Sequence, residues 1–227
     1  EDHQERYVQG FFLGILREEV SPSVSQSGEN VNDRRIGVFL DRDGTLNDEV
    51  DYLRTPDEMH LIPGAGSAIH RLNKRGLITC VISNQSGVAR GFLTEDDLVP
   101  IHARLRDELA RSGGQLDRIY YCPHHPTEGK APYNVVCECR KPKTGMLQRG
   151  VDELGIDLKN SFVVGDSLVD MQAANAVGAT AVLVQTGYGA IAREHCTLNS
   201  VHVDYLAQSI VEAVDFILIT LDGAMKA

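Results

Sequence analysis

Ile36-Gly37-Val38-Phe39-Leu40-Asp41-Arg42-Asp43-Gly44-Thr45 runs from five mostly apolar residues straight into two carboxylates, a glycine and a threonine. A short apolar run bounded by a turn signal reads as a buried strand. On extended backbone, residues two apart point the same way, so Asp41 and Asp43 can face one pocket at the strand's end. Two ionised carboxylates there repel, and a divalent cation held by oxygens is the economical remedy. Asp and Gly are also ordinary residues for an acidic turn closing a strand, and this segment alone does not separate the two readings.

Outward from this segment, strands and helices alternate. Ile36–Leu40 reads as the first strand, followed by a helix over Gly64–Asn73 introduced by Pro63. A second strand is expected at Leu77–Ser83, then a helix opened by the N-cap candidate Thr94 and running to Arg111. Leu116–Tyr121, Ser161–Gly165 and Thr180–Val184 read as further strands. Thr144–Leu154, Leu168–Val177 and Ala207–Leu218 read as helices. The alternation predicts an α/β fold: a doubly wound, Rossmann-like parallel sheet covered on both faces, with right-handed crossovers. Only the 44–63 segment separates Asp43 from Gly64, which leaves room for no more than a minimal cap.

Residues 1–35 read as an N-terminal appendage and linker, and 36–227 as the catalytic domain. Tyr7, Phe11, Phe12, Ile15 and Leu16 can share a helix face, and the Ser- and Pro-containing run from Ser21 has linker composition. That helix is expected to patch the main domain's surface, with docking or dimerisation as the alternative. Glu1 stands where an initiator Met is expected, consistent with a missing upstream piece, and the run from Gly10 to Leu16 is too short for a signal peptide.

The 227 residues suffice for one large domain, and 42% hydrophobic with 24% charged residues is ordinary for a globular protein. A formal net charge of −10 argues against a general nucleic-acid binder, because phosphate backbones need clustered Lys and Arg. No apolar run reaches the ~20 residues of a membrane span. The net charge leaves room for a local cationic pocket for a small phosphorylated substrate; the expected setting is cytoplasmic and the expected state a monomer.

In doubly wound sheets, ligands bind beyond the carboxyl ends of the strands. Asp41/Asp43, Ser83/Asn84 and Asp166/Asp170 each follow a strand. A carboxylate nucleophile there can divide phosphate-ester hydrolysis into two displacements. A second carboxylate can protonate the leaving oxygen and then deprotonate water. Magnesium would sit between carboxylates and phosphate, with Asp166 as the third acid and Ser167 free to cap the next helix. Ser83 and Asn84 supply donors, and Arg140 and Lys141 supply cations, although a basic pair in a loop is by itself usually solvated surface.

Five cysteines, an odd and sparse number, suit a reducing compartment. Cys122-Pro123-His124 and Cys137-Glu138-Cys139, twelve residues apart, present three thiols and an imidazole as C-x-H…C-x-C. That set suits a closed tetrahedral zinc site, the alternative being unpaired thiols. His125, Cys80 and Cys196 read as structural.

Together these residues resemble the haloacid dehalogenase-like phosphatases. The motifs DRDGTLN, SNQSGVARG, YYCPHH, CECRKPKTGML and GDSLVDMQAA resemble, more narrowly, the heptose-bisphosphate phosphatases of the histidinol-phosphatase-like subgroup. The resemblance spans about Val38 to Gly187. It implies Asp41 as nucleophile and Asp43 as general acid/base. Asp41, the Asp43 carbonyl and Asp166 would bind magnesium, and the Cys/His loop a structural zinc. Ser83, Asn84 and Lys141 would take the transferring phosphate, and Arg140 the substrate. Thr45, Asn47, Glu49, Asp51 and Tyr52 would lie along the sugar. The implied activity is release of the C7 phosphate from D-glycero-D-manno-heptose 1,7-bisphosphate.

The family often carries Lys where this chain has Ser167, which removes a cation near the phosphate. Ser83, where Thr is common, keeps the hydroxyl. Histidinol-phosphate phosphatases share the metal loop with a shorter gap. A polynucleotide 3'-phosphatase is disfavoured by charge, and a catalytically silent module by the presence of both Asp41 and Asp43.

Overall fold

A computed structural model describes residues 35–224. The expected 1–35 appendage therefore lies outside the described residues, Arg35 excepted. Six strands form one parallel sheet: β1 Gly37–Leu40, β2 Ile78–Asn84, β3 Arg118–Cys122, β4 Phe162–Gly165, β5 Thr180–Val184 and β6 Tyr205–Ala207. Their order is β3-β2-β1-β4-β5-β6. Between and after them run α1 Ala65–Lys74, α2 Glu95–Ala110, α3 Gly145–Leu154, α4 Leu168–Val177, α5 Gly189–Leu198 and α6 Ile210–Ala224.

β1 is central and wholly buried, which is why its sequence is continuously apolar rather than alternating. The alternation of side chains still sorts its residues between two cores. Val38 and Leu40 join the core under α1, α2 and α6, including Ile69, Leu105 and Val214. Phe39 joins the core under α3, α4 and α5, including Met146, Met171 and Ala192. Removing the Phe39 ring from such a core costs on the order of 3–5 kcal/mol. None of the described helices is long and apolar enough to cross a membrane.

The chain winds from β1 out to β3, then returns to β4 on β1's other side. The β1/β4 boundary is thus the topological switch point, where the connections diverge and leave a crevice. Leu40 is paired with Val81 on one side and Val164 on the other, so the residues after these strands emerge at one level.

Two elements depart from the sequence reading, α5 and β6. α5 buries only Gly189, Ala192 and Cys196, too narrow an apolar stripe to announce a helix, and the three residues of β6 are too few for a period. Both carry the fold beyond Gly187, and Cys196 is buried on α5.

Candidate active site

The first turn after β1 explains the glycine. Gly44 has φ +74°, and the N–H groups of Leu46 and Asn47 both donate to the Arg42 carbonyl at 2.9 and 3.1 Å. A Cβ on Gly44 would come 2.0 Å from Asp166 Oδ2, and one on Gly187 would come 2.1 Å from the same oxygen. Only glycine lets these two loops close on the Asp166 carboxylate.

Asp41 emerges from β1 with its N–H bonded to the Val164 carbonyl at 2.9 Å. Its Oδ1 accepts the Arg42 N–H at 2.7 Å and faces Lys141 Nζ at 3.0 Å. Burial drives its pKa well above the usual carboxylate range, opposed by Lys141 and reinforced by Asp170, Asp166 and Asp43. Lys141 is 3% exposed and donates to the Ile82 carbonyl at 2.8 Å and to Asp170 Oδ1 at 2.6 Å. Burial works against its charge, but Asp170 and Asp41 outweigh that and hold its pKa above the ordinary lysine value. Asn84 fixes the Lys141 backbone from both sides: Oδ1 accepts its N–H at 3.0 Å, and Nδ2 donates to its carbonyl at 3.1 Å.

Asp43 has the opposite surroundings. Arg42 grips it with Nε on Oδ1 at 3.0 Å and Nη2 on Oδ2 at 2.8 Å. Asn47 Nδ2 adds 3.0 Å and Gln85 Nε2 adds 2.9 Å. Burial raises its pKa, but the Arg42 charge and these hydrogen bonds more than reverse that, leaving it below the ordinary value. Two carboxylates two residues apart are thereby pushed in opposite directions by their surroundings.

Asp166 follows β4 and accepts the Tyr188 N–H at 2.8 Å; burial pushes its carboxyl up to about 7. Ser167 caps α4 in a reciprocal box with Asp170, so Asp166 is not used as the cap. One carboxylate oxygen from each of Asp41, Asp166 and Asp170 lies within 4.8 Å of the others. Lys141 faces both Asp170 and Asp41, so one ammonium stands among three clustered carboxylates. That donor set of buried, charge-deficient oxygens fits a hard divalent cation.

A cavity of about 190 Å³ opens above these groups. Its walls include Asp41, Asp43, Ser83, Asn84, Lys141 and Asp166 from the strand ends, with Glu49, Asp51 and Tyr52 from the loop after β1. Burial, and then the Asp43 charge, raise the Glu49 pKa. Three expected substrate contacts do not line it. Thr45 and Asn47 are fully buried in the turn, Asn47 bracing Asp43 from behind. Arg140 Nη1 instead donates to the His124 carbonyl at 3.1 Å.

The sequence reading missed Arg42, Gln85 and Tyr188. Gln85 donates to Asp43 and to Ser83 Oγ at 2.7 Å, while Arg42, 1% exposed, is a buried cation. A charge between two acids at a strand end was the available signal for Arg42. Tyr188 carried none.

Cys122, at the end of β3, meets His124, Cys137 and Cys139. The sulfurs lie 3.1–3.5 Å apart, and His124 Nδ1 lies 3.4 Å from Cys139 Sγ. Sulfur ligands around zinc, with Zn–S near 2.3 Å, stand about 3.8 Å apart, so a small opening separates this cluster from a tetrahedral site. His125 faces the loop backbone, its Nδ1 accepting the Glu128 N–H at 3.0 Å.

At the switch point, then, a carboxylate faces a buried ammonium, and a second carboxylate two residues on is gripped by arginine. A family model described as HAD-hydrolase-like matches residues 138–213. D-glycero-beta-D-manno-heptose-1,7-bisphosphate 7-phosphatase of Pseudomonas aeruginosa is 46% identical over 153 residues, covering 67% of this chain and 82% of the relative. The D-glycero-D-manno-heptose-1,7-bisphosphate 7-phosphatase of Thermosynechococcus vestitus is 41% identical, covering 81% of this chain and 95% of the relative. Among solved structures, the D,D-heptose 1,7-bisphosphate phosphatase from B. bronchiseptica, complexed with magnesium and phosphate, aligns with TM-score 0.72 and 34% identity. That alignment covers 82% of this chain and 99% of the other. The chain belongs to the haloacid dehalogenase-like phosphatases, in the group whose named members are heptose-1,7-bisphosphate 7-phosphatases. The family model's match runs to residue 213, past Gly187, where the motif resemblance ended.

Proposed function

We propose that this phosphatase removes the C7 phosphate of D-glycero-D-manno-heptose 1,7-bisphosphate through an aspartyl-phosphate at Asp41. The placement of Asp41 between Lys141 and the cavity carries the reading. An Asp41 oxygen attacks phosphorus, the bond from phosphorus to the sugar oxygen breaks, and that oxygen takes a proton from Asp43. In the second displacement Asp43, now a carboxylate, takes a proton from water as the water attacks phosphorus and releases Asp41. Asp43 rests ionised, and the phosphate dianion set against it is the like charge that lifts its pKa toward protonation.

Lys141 spends its donors on Ile82, Asp170 and Asp41, so it serves the phosphate by charge. Ser83 Oγ–H remains as a direct donor. Asp41, the Asp43 carbonyl and Asp166 would hold magnesium, which when bound supplies charge neutralisation between carboxylates and phosphate. Cys122, His124, Cys137 and Cys139 would hold zinc as a structural ion.

Purified protein is assayed for phosphate release from heptose bisphosphate, histidinol phosphate and fructose bisphosphate, with and without magnesium. Magnesium-dependent preference for the heptose ester is expected, with Asp41→Asn lowering turnover by about 10³-fold or more. Preference for histidinol phosphate would reject the substrate assignment; full turnover by Asp41→Asn would reject the mechanism.

A further inference from the structure

Tyr188 takes no part in the displacements, yet it joins the two loops at the mouth of the site. It follows β5, and its two ends are both engaged. The backbone N–H donates to Asp166 Oδ2 at 2.8 Å, and the phenol donates to Asp51 Oδ1 at 2.9 Å. Its side chain borders the cavity above Asp41 and also an adjoining open depression formed with residues 48–51 and Gly187.

The position of the phenol is well determined. Gly187, with φ +56°, lets the backbone close on Asp166, so Tyr188 is anchored to the chemical centre rather than to the surface. Its target is strained: Asp51 is a non-glycine residue at φ +60°, a conformation costing roughly 1 kcal/mol without compensation. On the opposite flank, Tyr52 packs edge-on against Phe92 with ring centroids 4.7 Å apart, and Arg90 lies 6.0 Å from the Tyr52 ring. The 48–52 loop is therefore held from two sides, by an apolar contact at Tyr52 and by one charge-assisted hydrogen bond at Asp51. Hydrogen bonding to Asp51 pushes the phenol up to about 12, which keeps it a donor throughout the neutral range.

We propose that Tyr188 is a positioning residue for substrate selection: its phenol holds Asp51, and with it the 48–52 loop, against the part of the substrate beyond the transferring phosphate. This rests on the phosphatase reading above and adds to it a residue outside the motifs that carried the family resemblance. The substrate part concerned is a polar, hydroxyl-bearing one, because Glu49 and Asp51 present acceptors to it.

The test uses Tyr188→Phe, which keeps the ring and the backbone N–H. Values of kcat/KM are measured for heptose bisphosphate, fructose bisphosphate, histidinol phosphate and p-nitrophenyl phosphate. For whichever biological ester the wild type prefers, its ratio to p-nitrophenyl phosphate is expected to fall about tenfold, carried mainly by KM. Asp51→Ala is expected to give a similar loss, and the double variant to add less than about twofold, as for two residues acting as one unit. A ratio unchanged by Tyr188→Phe, or additive losses, would overturn the inference. A wild type preferring another ester rejects the heptose assignment while the Tyr188 comparison is read on that ester. A wild type with no preference over p-nitrophenyl phosphate overturns both.

Discussion

Lys141 Nζ lies 2.6 Å from Asp170 Oδ1, and the two side chains are 2% and 0% exposed. Asp170 therefore does for Lys141 what Lys141 does for Asp41: each buried charge is tolerated because the next one faces it. The relay runs from Asp170 in the first turn of α4 to Asp41, linking the β4 and β1 sides of the crevice.

Breaking this relay is expected to cost both stability and turnover. Lys141→Met leaves two buried carboxylates without their cation, a change of about 3–5 kcal/mol. Urea unfolding should show that loss, and phosphate release should fall at least about 10²-fold. A Lys141→Met protein as stable as wild type would contradict the ion-pair account.

Gly44→Ala separates backbone strain from steric displacement. Its Cβ would collide with the Asp166 carboxylate, so the variant should require far more magnesium for half-maximal turnover, or lose turnover altogether. Gly91 has a similar φ, +77°, but open space around it. Gly91→Ala should thus pay only about 1 kcal/mol in strain and keep its magnesium response. Thermal unfolding and magnesium titration of both variants read the difference.

His102 on α2 is expected to give stability an acid-side slope. Its ring lies 5.5 Å from the Tyr121 ring, and its Nε2 is buried with no hydrogen-bond partner among the described residues. Burial, then the Arg42 charge, push its pKa down to about 4. Between the unfolded value of about 6.5 and that folded value, the unfolded chain binds a proton that the folded chain does not. Stability is fully present above that window and falls as pH drops through it, by at most about 3 kcal/mol. In His102→Gln the fall between pH 6.5 and pH 4.5, measured by urea unfolding, should be visibly smaller.

The Cys/His loop should couple metal content to turnover. Cys139 is bonded to Arg140, Arg140 reaches back to His124, and Gly145 N–H donates to the Glu138 carbonyl at 2.9 Å, so the loop sets where Lys141 enters the site. Cys137→Ser is expected to lose zinc and about tenfold in turnover while magnesium dependence keeps its midpoint. Unchanged zinc content and turnover would remove the proposed role of the loop.

The alternation of apolar runs with helical periods was enough to anticipate the doubly wound sheet, because a parallel strand buried on both faces is mostly apolar, and β1, β2, β4 and β5 are. Asp41, Ser83, Asn84 and Asp166 were legible for a related reason: each directly follows or ends such a strand, Asp43 stands two residues past Asp41, and strand ends on one edge converge. Lys141 was legible through its motif. α5 and β6 were not, since a three-residue strand and a thin apolar stripe carry no period.

Direction of burial is what sequence could not convey. Thr45 and Asn47 read as substrate contacts, but the turn at Gly44 folds them beneath the cavity, where Asn47 supports Asp43. Local sequence determined which residues end the strands and what chemistry they bring, because strand period and turn formation act over a few neighbours. The opposite pKa shifts of Asp41 and Asp43, the Lys141–Asp170 pairing and the meeting of Tyr188 with Asp51 were decided by tertiary structure, because charge and burial depend on groups brought together from strands and loops far apart in the chain.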